Sequence, residues 1–319
     1  MAGPKISLIV PTLNRREPLR RLLESVDGLS GLVPDEVIIV DGGSTDGSVE
    51  FLEAWASKAH AYSSRIVRQQ RGVGPGHARN LGIKASSGEI LTFTDDDCVV
   101  QPLWLANLVS GFDGDHAVVG VGGRVRALRD DIFSQYYVFH KILEPPSSLL
   151  YLVSANCCYG RDAVLAAGGF DEGLLRPGGE DVGLSLKLLH GGGRLRISEG
   201  AIVYHEFRSG LVDFCRTFFN YGSGCGIIAA RHLLQGVQPE FPYHSQFNGP
   251  DPFRGYGALS PPGLTPVEIW RDSLNAFRQY HSVRIGAFTA CRFLALRTVQ
   301  RFAYSAGWRS TTQESPPQS

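Results

Sequence analysis

Four short apolar runs fall within the first hundred residues: Lys5 to Val10 (KISLIV), Glu36 to Val40 (EVIIV), Arg65 to Gln69 (RIVRQ) and Ile90 to Thr94 (ILTFT). They are rich in β-branched residues and too short for buried helices, so each predicts a strand. Helical patterns fill the gaps. Glu17 to Val26 spaces Leu19, Leu22, Leu23 and Val26 on one face, and Ser48 to Ala59 and His77 to Ala85 follow the next two strands. Strands alternating with helices predict an α/β fold with a doubly wound, mainly parallel sheet flanked by helices and joined by right-handed crossovers. Such sheets bind ligands at the carboxyl ends of their strands.

Polar residues stand at three of those ends: Pro11, Thr12 and Asn14, then Asp41, then Asp95, Asp96 and Asp97. Read as a continuation of the fourth strand, Asp95 and Asp97 share one side, because strand side chains alternate. Adjacent carboxylates in a cleft repel one another, and a divalent cation offsets that repulsion. Hard oxygens suit Mn²⁺ or Mg²⁺, typically held by one or two carboxylates plus substrate phosphates. The bland alternative is a solvated acidic turn. Gly72 to Gly76 (GVGPG) reads as a loop and lacks the spacing of a dinucleotide fingerprint. Arg15, Arg16, Arg20 and Arg21 open the first helix, where most of them read as a solvated face.

Composition excludes some classes. Lys plus Arg equals Asp plus Glu at 31 each, which argues against a nucleic-acid partner. Six cysteines form no CxxC pair, so a structural zinc site is not expected, and Cys157-Cys158 reads as two small buried hydrophobes. No secretory leader and no apolar run of about 18 residues is evident. The expectation is a cytoplasmic protein with reduced thiols, peripheral at most to the inner face of the membrane.

Beyond Pro102 the pattern predicts a helix at Leu103–Phe112, a strand at Ala117–Val121, and an aromatic stretch from Arg124 to Lys141 that reads as core or packed lid. A strand is expected at Leu149–Ser154 and a helix at Arg161–Ala167. The helix Asp181–His190 places Glu180 and Asp181 at its N-terminus, where capping alone would account for them. Short strands follow at Arg194–Ile197 and Ala201–Tyr204, with His205 next. Asp213–Leu234 reads as one helix, or two broken at Gly222-Ser223-Gly224. Residues 236–266, rich in Pro, Gly and aromatics, are too long for an ordinary loop and suit a lid. Val267–Trp308 reads as helical, with docking onto the preceding domain preferred over a membrane-surface or homodimer contact. Residues 310–319 read as a disordered tail.

The segments PTLN, VDGGSTDGS, ARNLGI and FTDDD, in this order and followed by GGFDE and GGED, resemble the family 2, nucleotide-sugar-dependent glycosyltransferases of the GT-A fold over about residues 5–210. The resemblance implies transfer of a sugar from a nucleotide diphosphate sugar to an acceptor hydroxyl, with inversion and with Mn²⁺ or Mg²⁺. It implies nucleotide-sugar contacts from Pro11, Thr12, Asn14, Asp41, Arg79, Asp95 and Asp96. Asp97 would bind the metal, with Asp95 and His205 beside it; His205 has a phosphate role as its alternative. Asp181 would be the general base, with Glu180 orienting it or binding acceptor. Many members carry a second acid that reads uracil where this chain has Gly42, so UDP, GDP and TDP donors all stay open.

The implied organisation is a GT-A catalytic domain at 1–210, with a nucleotide-sugar half to about 102 and an acceptor half from about 103. A helical segment at 211–235 lies over the site, followed by the connector at 236–266, a helical extension at 267–309 and the tail. The rival readings are a sugar nucleotidyltransferase, and a nucleotide- or glycan-binding module without activity. The lack of a QxxRW motif weighs against a processive polymer synthase.

Overall fold

The computed structural model describes residues 3–145, 149–234 and 285–311, together with Asn275, Ala276, Arg278 and Tyr280. Strands β1 (Ile6–Thr12), β2 (Glu36–Asp41), β3 (Ser63–Arg68), β4 (Ile90–Thr94), β5 (Cys98–Val100), β6 (Val118–Ala127), β7 (Asn156–Gly160) and β8 (Arg194–His205) form one sheet, ordered β3-β2-β1-β4-β7-β6-β8-β5. The first four strands in that order run parallel. β7 is antiparallel to both β4 and β6, and β8 runs parallel to β6 but antiparallel to β5. Register pairs Thr12 with Asp41, so the polar ends of β1 and β2 lie side by side.

Strands β1, β2 and β4 are buried on both faces, which is why they read as continuous apolar runs. Ile6, Leu8 and Val10 point into one core with Val37 and Ile39, while Ile9, Ile38 and Val40 point into the other. Helices α3 (Gly74–Ala85), α6 (Arg161–Ala166) and one side of α7 (Glu180–His190) cover the second core. The first core is covered by α1 (Arg16–Asp27), α2 (Ser48–Ala56), α4 (Trp104–Val109) and α5 (Ile132–Phe139), and extends to α8 (Leu211–Leu234) and α9 (Ala287–Thr311). Leu19, Leu22, Leu23 and Val26 are the buried face of α1, as their spacing requires.

Several elements differ from the sequence expectation. The strand expected at 149–154 is absent: Tyr151, Leu152 and Val153 are buried in irregular chain, and the strand is the next segment, NCCYG. Small residues suit a strand packed on both faces. Cys157 enters one core and Cys158 the other, so the adjacent thiols point apart. Asn156 gives its amide to the carbonyls of Arg124 and Ala201 and accepts from Trp104 Nε1. The expected loop at Gly72 to Gly76 gives way to α3 at Gly74, with Pro75 in the first turn, where its missing N–H costs nothing. The two strands expected between 194 and 204 are one, β8.

Helix α8 is unbroken at Gly222-Ser223-Gly224 because those glycines serve close packing. A Cβ on Gly222 would lie 2.0 Å from the Tyr304 carbonyl of α9, and one on Gly224 would lie 1.8 Å from the Gly178 carbonyl. α8 is thus wedged between α9 and the turn that starts α7. The aromatic stretch is core: Tyr136 and Tyr137 are buried and meet Phe214, with Phe207 and Phe218 stacked on Tyr137. The connector at 236–266 and the tail beyond 311 lie outside the described residues. Among the described residues no helix is long and apolar enough to cross a membrane.

Candidate active site

Asp95, Asp96 and Asp97 occupy a turn between β4 and β5, closed by the Cys98 N–H donating to the Asp95 carbonyl at 3.1 Å. They therefore do not follow strand alternation, and the three carboxylates fan out to separate partners. Asp95 pairs with Arg79 at 2.9 Å. Asp96 accepts a 2.7 Å hydrogen bond from the Thr12 hydroxyl. Asp97 meets Arg15 at 3.2 Å on one oxygen and His205 Nε2 at 3.1 Å on the other. β5 pairs with the end of β8, setting Cys98 against His205 and so placing the imidazole beside the acidic turn.

These groups line a cavity of about 470 Å³ at the strand ends. Pro11, Thr12, Gly42 and Gln69 line it from the β1–β3 side; Glu180 and Asp181 line it from the start of α7; and Tyr137, Thr217, Asn220 and Tyr221 line it from α5 and α8. Arg79, buried in α3, ties two of these walls together. Its guanidinium donates to Asp95 and, at 3.0 Å, to Glu180, and it lies over the Phe170 ring. Arg79 is thus engaged by protein carboxylates. Asn14 and Asp41 are not among the lining side chains. Asp41 accepts from the backbone N–H groups of Gly43 and Ser44, and Asn14, with φ of 53°, accepts from the Thr45 N–H, so both hold the turn after β2.

The start of α7 is built by Gly178 and Gly179, with φ of 124° and 91°, a backbone that only glycine adopts without strain. The Gly178 N–H donates to Glu180 Oε2 at 2.7 Å. Asp181 is left with the Val182 N–H at 2.8 Å and a long contact from the Ser154 N–H at 3.4 Å. Burial, reinforced by the charge of Glu180 and opposed by Arg79, pushes the Asp181 carboxyl up to about 7. Burial, with Asp97 adding to it and Arg15 and Thr12 holding it back, likewise pushes Asp96 up to about 7. Withdrawal from water raises Asp95, with Arg79 opposing and Asp97 adding. A carboxyl poised near neutrality and facing a cavity suits proton abstraction.

The acidic turn fits a divalent cation. His205 Nδ1 is buried with no hydrogen-bond partner among the described residues, Asp97 Oδ1 has the His205 Nε2 contact as its one close polar neighbour there, and the ligand atoms of Asp97, Cys98 and His205 lie within 4.8 Å of one another. Burial pushes the Cys98 thiol well up, so it stays protonated and leaves Asp97 and His205 as the fitting donors, one hard oxygen and one imidazole.

Four lining residues lie outside the expected site set. Arg15 precedes α1 and turns inward to Asp97, whereas Arg16 is exposed, Arg20 pairs with Glu17 and Glu24 on the helix surface, and Arg21 pairs with Glu206. Gln69 closes the β3 side, Tyr221 roofs the cavity from α8, and Arg208, three residues after His205, is exposed at the mouth without an ion pair among the described residues. In the sequence Arg15 stands out as a basic residue at the start of the first helix and Tyr221 as a polar marker of the helix expected over the site, whereas Gln69 and Arg208 carry no signal.

Residues 7–158 match the family model described as Glycosyl transferase family 2. A pre-mycofactocin glycosyltransferase of Mycobacterium tuberculosis is 30% identical over 247 residues, covering 72% of this chain and 49% of that protein. The glycosyltransferase AglE of Haloferax volcanii is 31% identical over 207 residues, covering 59% of this chain and 65% of its own length. This chain thus spans about half the length of the former and about two thirds of the latter. Among solved structures, a mannosyltransferase from Pyrobaculum calidifontis in complex with GDP-Man and Mn²⁺ superposes with a TM-score of 0.66 at 19% identity, covering 99% of this chain and 89% of that one, which shows a shared GT-A fold.

Proposed function

The chain belongs to glycosyl transferase family 2, and from that premise we propose that it is a metal-dependent, inverting glycosyltransferase that moves a sugar from a nucleotide diphosphate sugar to an acceptor hydroxyl. The observation that carries this reading is one cavity that joins the Asp97–His205 pair to a near-neutral Asp181. The domain reading follows it: residues 1–210 form the catalytic domain, and α8 covers the site.

A nucleotide diphosphate sugar would lie across the strand ends, its nucleoside on the β1–β3 side and its diphosphate at the acidic turn. Asp97 and His205, with Asp95 alongside, would hold Mn²⁺ or Mg²⁺, which when bound neutralises the diphosphate and stabilises it as a leaving group. The Mn²⁺ in the mannosyltransferase of like fold supports that assignment. Arg15 and Arg208 add positive charge to the cavity lining. Asp181 would take the proton of the acceptor hydroxyl as its oxygen attacks the anomeric carbon from the face opposite the diphosphate. A hydroxyl is a poor nucleophile until its proton is drawn off, and a single displacement requires one base and gives inversion. Glu180, fixed by Arg79 and the Gly178 N–H, would orient the turn that presents Asp181.

The test is the variant Asp181→Asn with whichever donor the wild type turns over. Nucleotide release should fall by about 100-fold or more, the usual worth of a general base. Nucleotide binding by calorimetry should stay within about twofold. Normal turnover by the variant would refute the base assignment. Binding without turnover by the wild type, across a broad donor and acceptor panel, would favour the non-catalytic binding module.

A further inference from the structure

Helix α9 presents two faces. One is packed on α8, closely enough that a Cβ on Gly307 would lie 1.9 Å from the Phe219 carbonyl, and it buries Phe293, Leu296 and Tyr304. The other is formed by Phe288, Arg292, Ala295, Phe302, Ala306 and Arg309, which recur every three or four residues and are all exposed. Phe288 is 76% exposed and Phe302 is 48% exposed. α8 adds Val212, 71% exposed, in its first turn. A groove of about 870 Å³ runs between the two helices, lined by Phe219, Val299, Phe302 and Ala303. The charge on this face is of one sign. α9 contains four arginines and no acid. Arg176 borders the groove 5.6 Å from the Phe219 ring centroid, and Arg292 lies 5.5 Å from that of Phe288. Neither forms an ion pair among the described residues. Asp213, the acid in the first turn of α8, is already paired with Arg216 at 2.7 Å.

Single exposed apolar side chains are ordinary, but an apolar face that follows a whole helix and is edged by cations is the pattern of a helix lying in a membrane interface. A second copy on this face would set arginine against arginine, which opposes a homodimer there. An anionic lipid surface instead complements both the charge and the apolar side chains. No helix among the described residues is long and apolar enough to cross a membrane, so the contact runs along the surface. We propose that the α8–α9 face docks on an anionic phospholipid surface. Phe288, Phe302 and Val212 enter the boundary between headgroups and acyl chains, and Arg176 and Arg292 meet lipid phosphates with their stems lying on apolar surface. Arg216 and Asn220 line both the groove and the catalytic cavity, so the docked surface lies beside the site. The proposal stands independently of the glycosyltransferase reading.

The experiment is cosedimentation of the full chain with vesicles of phosphatidylcholine alone and of equal parts phosphatidylcholine and phosphatidylglycerol. The wild type should bind the anionic vesicles about tenfold or more tightly than the neutral ones. A cation near such a surface is worth about fivefold, so Arg176→Gln/Arg292→Gln should weaken binding to the anionic vesicles about tenfold or more. Phe288→Ser/Phe302→Ser should weaken it about tenfold or more by removing the buried apolar area. Both double variants replace exposed side chains, so their unfolding midpoints should match that of the wild type. A wild type that binds neither kind of vesicle, or both equally, overturns the proposal. Undiminished binding by either double variant does so too. A dimer that forms in solution, persists with both vesicles and is dissolved by Phe288→Ser/Phe302→Ser overturns it in favour of a second copy.

Discussion

Replacing Arg79 by methionine tests the ion-pair bridge under the site. The guanidinium is 3% exposed and lies 2.9 Å from Asp95 and 3.0 Å from Glu180. At an effective dielectric of about 20, each contact has a gross attraction of about 5–6 kcal/mol. Desolvation of the three groups offsets much of that, so the intact bridge adds little net stability. Breaking it is another matter, because methionine leaves two carboxylates facing each other without their cation. Removing one partner of a buried pair costs about 3–5 kcal/mol. Arg79→Met should lose that amount in guanidinium-chloride unfolding at pH 7.5 in EDTA, followed by far-UV circular dichroism, with an unchanged m-value. The triple variant Arg79→Met/Asp95→Asn/Glu180→Gln removes the stranded charges and should recover most of the loss. A single-variant cost under about 1 kcal/mol, or a triple variant no more stable than the single one, would refute the reasoning.

Three further outcomes are expected. Donor turnover should rise with pH through about 7 as Asp181 ionises. Because the Asp181 folded-state pKa is raised, its contribution to stability is complete below its unfolded value and is lost as pH rises to about 7, so Asp181→Asn should melt higher than wild type at pH 8 and equal to it at pH 3.5. Gly224→Ala pushes a methyl group to within 1.8 Å of the Gly178 carbonyl; it should cost about 1–3 kcal/mol and also lower kcat, because it displaces the turn carrying Glu180 and Asp181, whereas Gly222→Ala, against Tyr304 of α9, should cost stability with kcat better preserved. His205→Ala should weaken Mn²⁺ binding about tenfold or more by electron paramagnetic resonance, as expected for loss of a metal-proximal imidazole.

The strand–helix alternation of the first hundred residues was legible because β1, β2 and β4 are buried on both faces, so burial and β-propensity point the same way. The acidic turn was legible because nothing in packing asks for clustered carboxylates, whereas Glu180-Asp181, at a helix start where capping suffices, stood out only through the motif that contains it. β7 was not, because Leu149–Ser154 is the more apolar run, while NCCYG draws its stability from partners on both sides that no local pattern reveals. Gly222 and Gly224 left one helix or two as equal readings because a local rule treats glycine as flexibility, whereas here it permits the approach of other backbones. The positions of Arg15 and Gln69 depend on how chain segments meet across the sheet, and local periodicity carries no such information.

If the acidic turn forms a metal-dependent nucleotide-sugar site, a nucleotide and Mn²⁺ should bind there together. The most direct measurement is a thermal-shift panel of UDP, GDP, TDP and CDP, each with and without Mn²⁺, on the wild type and on Asp97→Asn. A ligand that binds only the folded state raises the melting temperature by mass action. At least one nucleotide should stabilise the wild type, only with Mn²⁺ present, and the effect should disappear in Asp97→Asn. Failure of every nucleotide to stabilise the wild type, or a response undiminished in Asp97→Asn, would contradict it.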